Sequence, residues 1–123
     1  MTHQVVVDSR FETEPAKIVL KYKLKLGPDP VEVDIPVGAY LLRAEFVPGK
    51  FALQGYWLMW YEVPLASKVS AHPMVFQSIA TGVPFPKCAK HIATGFRGSN
   101  PWLPPEEVWH LYEYPSGAKV VDV

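Results

Sequence analysis

Between Ala16 and Leu26 the apolar residues fall on every second position: Ile18, Leu20, Tyr22, Leu24 and Leu26 alternate with Val19, Lys21, Lys23 and Lys25. A period of two puts one set on each side of a pleated strand, here an apolar face and a lysine face. Gly27-Pro28-Asp29-Pro30 reads as a turn, and Val31, Val33 and Ile35 alternate with Glu32 and Asp34 in a second strand. Pairing the two strands as a hairpin would bring Glu32 and Asp34 beside the lysines. Each such cross-strand charge pair contributes at most about 1 kcal/mol. On that reading the lysine row is a solvated sheet face with carboxylate neighbours. A stripe for nucleic acid or lipid is the competing reading.

Pro36-Val37-Gly38-Ala39 leads into a third strand, Tyr40–Val47, and Pro48-Gly49-Lys50 marks a tight turn. The next run, Phe51–Val63, is predicted as one long strand, apolar or aromatic on both alternating faces. Such a strand is either central and covered twice or part of an interface, and Gly55 within it suggests a bulge or a close backbone approach. Pro64–Pro73 reads as a polar connection. Then Ile79-Ala80-Thr81-Gly82 recurs as Ile92-Ala93-Thr94-Gly95, thirteen residues later. Each copy is expected to close a strand, Met74–Thr81 and Ala89–Phe96, with Gly82 and Gly95 in turn conformations. Val83-Pro84-Phe85-Pro86 is a stiff loop between them, and a Pro-rich loop, residues 97–106, precedes the last strand, Glu107–Tyr114. About seven short strands with no amphipathic helix predict an all-β domain, a small antiparallel β-sandwich or partly open barrel.

At 123 residues the chain is one domain's worth, read here as residues 16–114 between an N-terminal arm, 1–15, and a C-terminal tail, 115–123. The 13 prolines fit this picture, because proline is expelled from helix interiors and central strands. Lys+Arg and Asp+Glu both number 12, so no global field draws in nucleic acid, and the balance argues against a nucleic-acid partner. The single cysteine, Cys88, fits a reducing compartment. No secretory signal is read at the start, and no apolar run is long enough to span a bilayer as a helix. The expectation is a cytoplasmic product without a membrane partner.

Chemistry-bearing constellations are sparse. Cys88-x-x-His91 has half of a zinc spacing, but a structural site needs four ligands, and His72 and His110 stand far off in sequence. A thiol triad of Cys88 with His110 or His72 has no local motif behind it. Phosphate-cradling glycine motifs are absent from the sequence, and no cofactor, metal or catalytic group is assigned. Lys87, Lys90, His91, Phe96, Arg97 and Trp102 come nearest to a basic-aromatic pattern. Phe96, Arg97 and Trp102 are the candidate contacts for a protein partner, since Arg and Trp dominate interface hot spots. The bland reading folds Trp102 back onto the sheet as a lid.

Several ordered pieces are shared with a known group. They are Lys21-Tyr22-x-Leu24, Ile35-Pro36-x-Gly38-Ala39 with Leu41-Leu42, the aromatic strand to Trp60, Thr81-Gly82-x-Pro84, His91-Ile92-x-Thr94-Gly95 and Val108-Trp109-His110-Leu111-Tyr112-Glu113. With these, the chain from about Lys17 to Tyr114 resembles a family of small uncharacterised proteins encoded in tailed-bacteriophage genomes. Asn100–Pro105 looks longer here than in that family, and both ends differ. The resemblance implies a phage origin and a product in the cytoplasm of the infected bacterium, or a virion part; it implies no activity and no catalytic residues. The functional expectation is a non-enzymatic binding protein that engages a host or phage protein, such as an inhibitor of a host enzyme or defence system. A virion component, such as a capsid decoration or tail-associated protein that self-associates, is the alternative. A small enzyme or ligand-binding domain has the least support.

Overall fold

A computed structural model describes residues 4–6, 8–11, 16–65, 70–98, 102 and 105–121. After a single 3-10 turn at Ser9–Phe11, seven strands follow: β1 (Lys17–Lys25), β2 (Val31–Pro36), β3 (Tyr40–Pro48), β4 (Gly55–Pro64), β5 (Ala71–Ala80), β6 (Lys90–Arg97) and β7 (Glu107–Glu113). They form two antiparallel sheets, one in the order β1-β4-β3 and one in the order β2-β5-β7-β6. The protein is a β-sandwich, and its sheets are not closed into a barrel. Parts of the expected arm, Pro-rich loop and tail (1–3, 7, 12–15, 99–101, 103–104 and 122–123) lie outside the described residues. Among those described, no helix is long and apolar enough to cross a membrane.

The core lies between the sheets. Leu24 and Leu26 from β1 and its exit, Phe46 from β3, and Trp57, Met59, Tyr61 and Val63 from β4 face Ile35, Phe76 and Leu111 of the second sheet. Trp57 is fully buried, and its indole N–H donates to Ser78 Oγ across the sandwich at 3.0 Å. That bond satisfies the polar end of the ring and the one buried polar side chain it faces.

The expected β1–β2 hairpin does not form. β1 pairs with β4, and β2 pairs with β5 in the other sheet. Glu32 and Asp34 therefore lie opposite Val75 and Pro73, not opposite the lysines. Both strands bury their apolar sides, and Gly27–Pro30 carries the chain from one layer to the other. Leu26 still bonds to Gly55 O at 3.0 Å, while Pro28 O accepts from Gln77 Nε2 at 3.1 Å in the second sheet.

Two strand limits also differ. The fourth strand begins at Gly55, because Phe51–Gln54 completes the turn: Gln54 N–H bonds to Phe51 O, and Gly49 N–H to Gln54 O. Gly55, at φ 142°, passes so near Val47 O that an added Cβ would sit 2.6 Å from it, the close approach that the glycine signalled. The fifth strand starts at Ala71, three residues before the expected Met74, and takes in Pro73. Pro73 lies beyond the reach of β7, where β5 has a ladder partner on one side only and a missing N–H is tolerated.

β4 is central in its sheet, yet it is β5 that is buried on both faces. Phe76 and Ser78 point to the core, and Val75 and Ile79 are buried on the opposite side. Chain outside the strands reaches that second face: the Val120 N–H of the tail donates to Glu32 Oε1 at 3.1 Å, and Glu32 is the ladder partner of Val75. β5 and β6 both run antiparallel to β7, so the connection Thr81–Ala89 must return along the outer face of the sheet. Phe85 of that connection stacks on Tyr112 with ring centroids 4.2 Å apart.

The two copies of Ile-Ala-Thr-Gly are used differently. Gly82 is a turn residue with φ 90°. Gly95 lies inside β6 and is buried, because the two sheets meet there: a Cβ on Gly95 would lie 2.1 Å from Phe46 Cβ. The expected second turn glycine is a close-packing glycine. The two threonines converge on one imidazole, with Thr94 Oγ1 at 2.9 Å from His110 Nδ1 and Thr81 Oγ1 at 3.0 Å from His110 Nε2.

Candidate functional site

The turn between β3 and β4 meets the facing ends of β6 and β7 at one end of the sandwich. The clasp is Arg97, the last residue of β6, opposite Glu107, the first of β7. Arg97 Nε donates to Glu107 Oε2 at 3.2 Å, and its other two nitrogens donate to Gly49 O and Gln54 O, each at 2.6 Å. Glu107 in turn accepts the Leu53 N–H at 3.1 and 3.2 Å and the Trp109 indole N–H at 2.7 Å. The two charged side chains are only 12% and 15% exposed. A planar guanidinium suits this role, because its fixed fork serves three acceptors at once.

The clasp holds Leu53 in a left-handed conformation, φ 63°, the sole described non-glycine residue of that kind. A side chain with a Cβ loses roughly 1–2 kcal/mol there. The carboxylate of Glu107 offsets that cost by gripping the Leu53 N–H, and the result is a leucine aimed outward, 69% exposed. Phe51 in the same turn is 61% exposed. We therefore expect Leu53→Gly to leave the melting temperature unchanged or raise it, by up to about 1 kcal/mol of stability, with the same circular dichroism spectrum. A clear fall in stability would show that the leucine side chain serves the fold.

The three residues singled out in the sequence part company. Phe96 is exposed on the outer face of the four-stranded sheet, in register with Val108. Trp102 is 90% exposed in the loop. Arg97 is turned inward, and its guanidinium is occupied by Glu107 and two carbonyls, so it organises the surface from beneath. Phe51 and Leu53 were hidden from sequence reasoning by the alternation that placed them in a strand; the adjacent Gln54-Gly55 was the available sign of a longer turn. Glu107 left no sequence signal beyond its place next to Glu106.

The electrostatics follow from these contacts. The Trp109 indole N–H, then the Leu53 N–H and Arg97, hold the Glu107 carboxyl below the usual value against the opposing effect of burial. Elsewhere a cleft of about 360 Å³ opens at the seam of β3 and β6, where Tyr61, Lys90, His91 and Glu113 line it. Burial pushes Glu113 above the ordinary carboxylate value, only partly countered by Lys90 and His72. Burial likewise pushes the Tyr61 phenol up.

A raised acid destabilises the fold once ionised. The stability is present below the ordinary value of 4.5 and declines as the pH rises through the range toward the folded value. Glu113→Gln should match the wild type in acid and melt higher at pH 7, read by thermal denaturation at both pH values. Equal melting at pH 7 would show that Glu113 is well solvated.

Cys88 is exposed in a turn, and both nitrogens of His110 are engaged by threonines. His91 Nε2 bonds to Thr94 Oγ1 at 2.8 Å. Among the described residues, no three His, Cys, Asp or Glu side chains converge as a metal site would need.

The fold and this end together define a small two-sheet antiparallel sandwich that presents apolar side chains on a clasped turn. The chain belongs to the family described as Domain of unknown function (DUF7352), whose model matches residues 15–120. No curated protein and no solved structure matches it.

Proposed function

We propose that this protein is a non-enzymatic binding module that engages a protein partner through its clasped end. The observation that carries the reading is Leu53, held in a strained conformation by a part-buried carboxylate with its side chain in solvent. Backbone strain persists only where the surroundings over-determine it, and it concentrates at sites that bind or switch. Phe51 and Trp102, exposed in the two loops at that end, are the aromatic anchors that protein interfaces favour. The bacteriophage resemblance supports a host or phage protein as the partner.

The test uses tagged protein in a lysate of infected bacteria, comparing wild type with the Phe51→Ser, Leu53→Gly double variant. The expected result is a defined partner retained by the wild type and lost by the variant at unchanged melting temperature. Retention at full yield by the variant overturns this surface as the contact. Recovery of the protein in hundreds of copies per purified particle would replace the reading with a virion component.

A further inference from the structure

The outer face of the three-stranded sheet carries a second surface. Alternate residues of β4 (Trp57, Met59, Tyr61 and Val63) fill the core, so Tyr56, Leu58 and Trp60 point outward, where they are half-buried. Residues paired across an antiparallel ladder share a face. The register then sets three rows: Lys25–Tyr56–Val47, Lys23–Leu58–Glu45 and Lys21–Trp60–Arg43. An apolar column runs down the middle of the face with a column of lysines directly beside it, and Trp60 has a cation on each side.

The carboxylates expected to neutralise those lysines lie in the other sheet. On this face Lys17 pairs with Glu62 at 2.8 Å and Arg43 with Glu45 at 3.5 Å. Lys21, Lys23 and Lys25 make no ion pair among the described residues, and Lys23 Nζ rests on the Tyr56 ring at 4.1 Å. With five cations against two carboxylates, this face is positive on a chain whose formal charge is zero. At the Lys25 end the face runs into a groove of about 470 Å³, lined by Lys23, Lys25, Tyr56, Leu53 and Gln54 among others.

We propose that this sheet face binds single-stranded nucleic acid without sequence preference. The lysine column supplies phosphate contacts at the spacing of alternate strand residues, and Tyr56 and Trp60 supply stacking surfaces for unpaired bases. The groove extends the face past Tyr56 at the Lys25 end. The flexible stem of Lys23 lets its ammonium exchange the Tyr56 ring for a phosphate. A duplex would meet only the lysines, since its bases are stacked inward, and an acidic peptide would leave the aromatic column without a role. An anionic membrane surface would engage both columns, so phosphatidylserine vesicles are the decisive competitor in the test. Edge lysines also guard against strand pairing, but that function needs no aromatic neighbours.

The test is fluorescence anisotropy with a labelled oligothymidylate and the full chain. Three lysine–phosphate contacts predict a slope of log K against log salt of about −2. The Lys21→Gln, Lys23→Gln, Lys25→Gln variant, altered only at exposed positions, should lose that slope and at least about tenfold in affinity at low salt. Trp60→Ala should weaken binding about tenfold, while Trp60→Phe keeps it within about threefold. If Trp60→Ala fails to fold, Tyr56→Ser gives the same readout. Equal affinity for a duplex of the same length, or an unchanged salt slope in the triple variant, overturns the proposal. So does preferential binding to polyglutamate or to phosphatidylserine vesicles. Leu53 lines both this groove and the clasped end, so the two surfaces adjoin. The lysine variant keeps Phe51 and Leu53 and should still capture a protein, while the Phe51→Ser, Leu53→Gly variant should keep the salt slope, which tells the two readings apart.

Discussion

Gly95→Ala should destabilise the protein by about 3 kcal/mol, near the upper end of what overpacking a core costs. For a domain of this size that is a fall in melting temperature of about 10 °C. The cause is local and severe. A Cβ at position 95 would stand 2.1 Å from Phe46 Cβ and 2.8 Å from Phe46 Cγ, at the line where β3 of one sheet meets β6 of the other. Phe46 cannot swing aside, because it is buried and its ring packs on Trp57 with centroids 5.2 Å apart. A revealing companion is Phe46→Ala. It leaves the Cβ in place, so it should not rescue Gly95→Ala even though it removes the ring. Rescue, or a melting temperature within a degree of wild type for Gly95→Ala alone, would mean that the two sheets stand further apart at this line.

Arg97→Met should cost about 2–3 kcal/mol, since it leaves a largely buried carboxylate without its cation and strips a donor from the Gly49 and Gln54 carbonyls. Hydrogen exchange at the Leu53 amide should accelerate in the variant, because the turn loses its anchor. Arg97→Lys should recover only part of the loss, as an ammonium cannot reproduce the planar fork.

The pH dependence follows from the depressed Glu107 carboxyl. As pH falls, the unfolded chain takes up the proton first. The contribution of Glu107 is therefore complete above the ordinary value of 4.5 and is lost as the pH drops through the folded value. Denaturant titrations from pH 7 down to about pH 3 should show that loss in the wild type, and Glu107→Gln should flatten it. An acid limb of the same depth in Glu107→Gln would assign acid sensitivity to other carboxylates.

The strands themselves were readable because alternation is a local property. Ile18 to Leu26 and Val31 to Ile35 each announce a two-sided strand, and each turns the side its pattern names to the core, save that Val31 at the start of β2 stays exposed. Where alternation ran on without a break, at Phe51–Gln54, it hid a turn, because Phe51 and Leu53 fit either face of a strand equally well. Leu53 was further concealed since its conformation is imposed by Glu107, a residue 54 positions away. Phe96 and Trp102 were visible in the sequence as aromatic residues outside the alternating core pattern, and both are exposed. Arg97 stands next to Phe96 in the sequence, but its direction depends on whether two carbonyls and a carboxylate wait beneath it, and nothing near it in sequence reports that.

The lysine column shows the same division. Period two decided by itself that Lys21, Lys23 and Lys25 share a face opposite Leu20, Tyr22 and Leu24. It also decided that this is an all-β chain, because a strand's two sides are set by its own backbone whatever its neighbour. Which strand lies alongside was decided only in the tertiary structure. Burying the apolar sides of both β1 and β2 required two layers, so the chain crossed at Gly27–Pro30 instead of folding back. That choice took Glu32 and Asp34 to the other sheet and set Tyr56, Leu58 and Trp60 beside the lysines. Faces are encoded residue by residue; neighbours are chosen by the burial of the whole, and the character of this surface came from its neighbours.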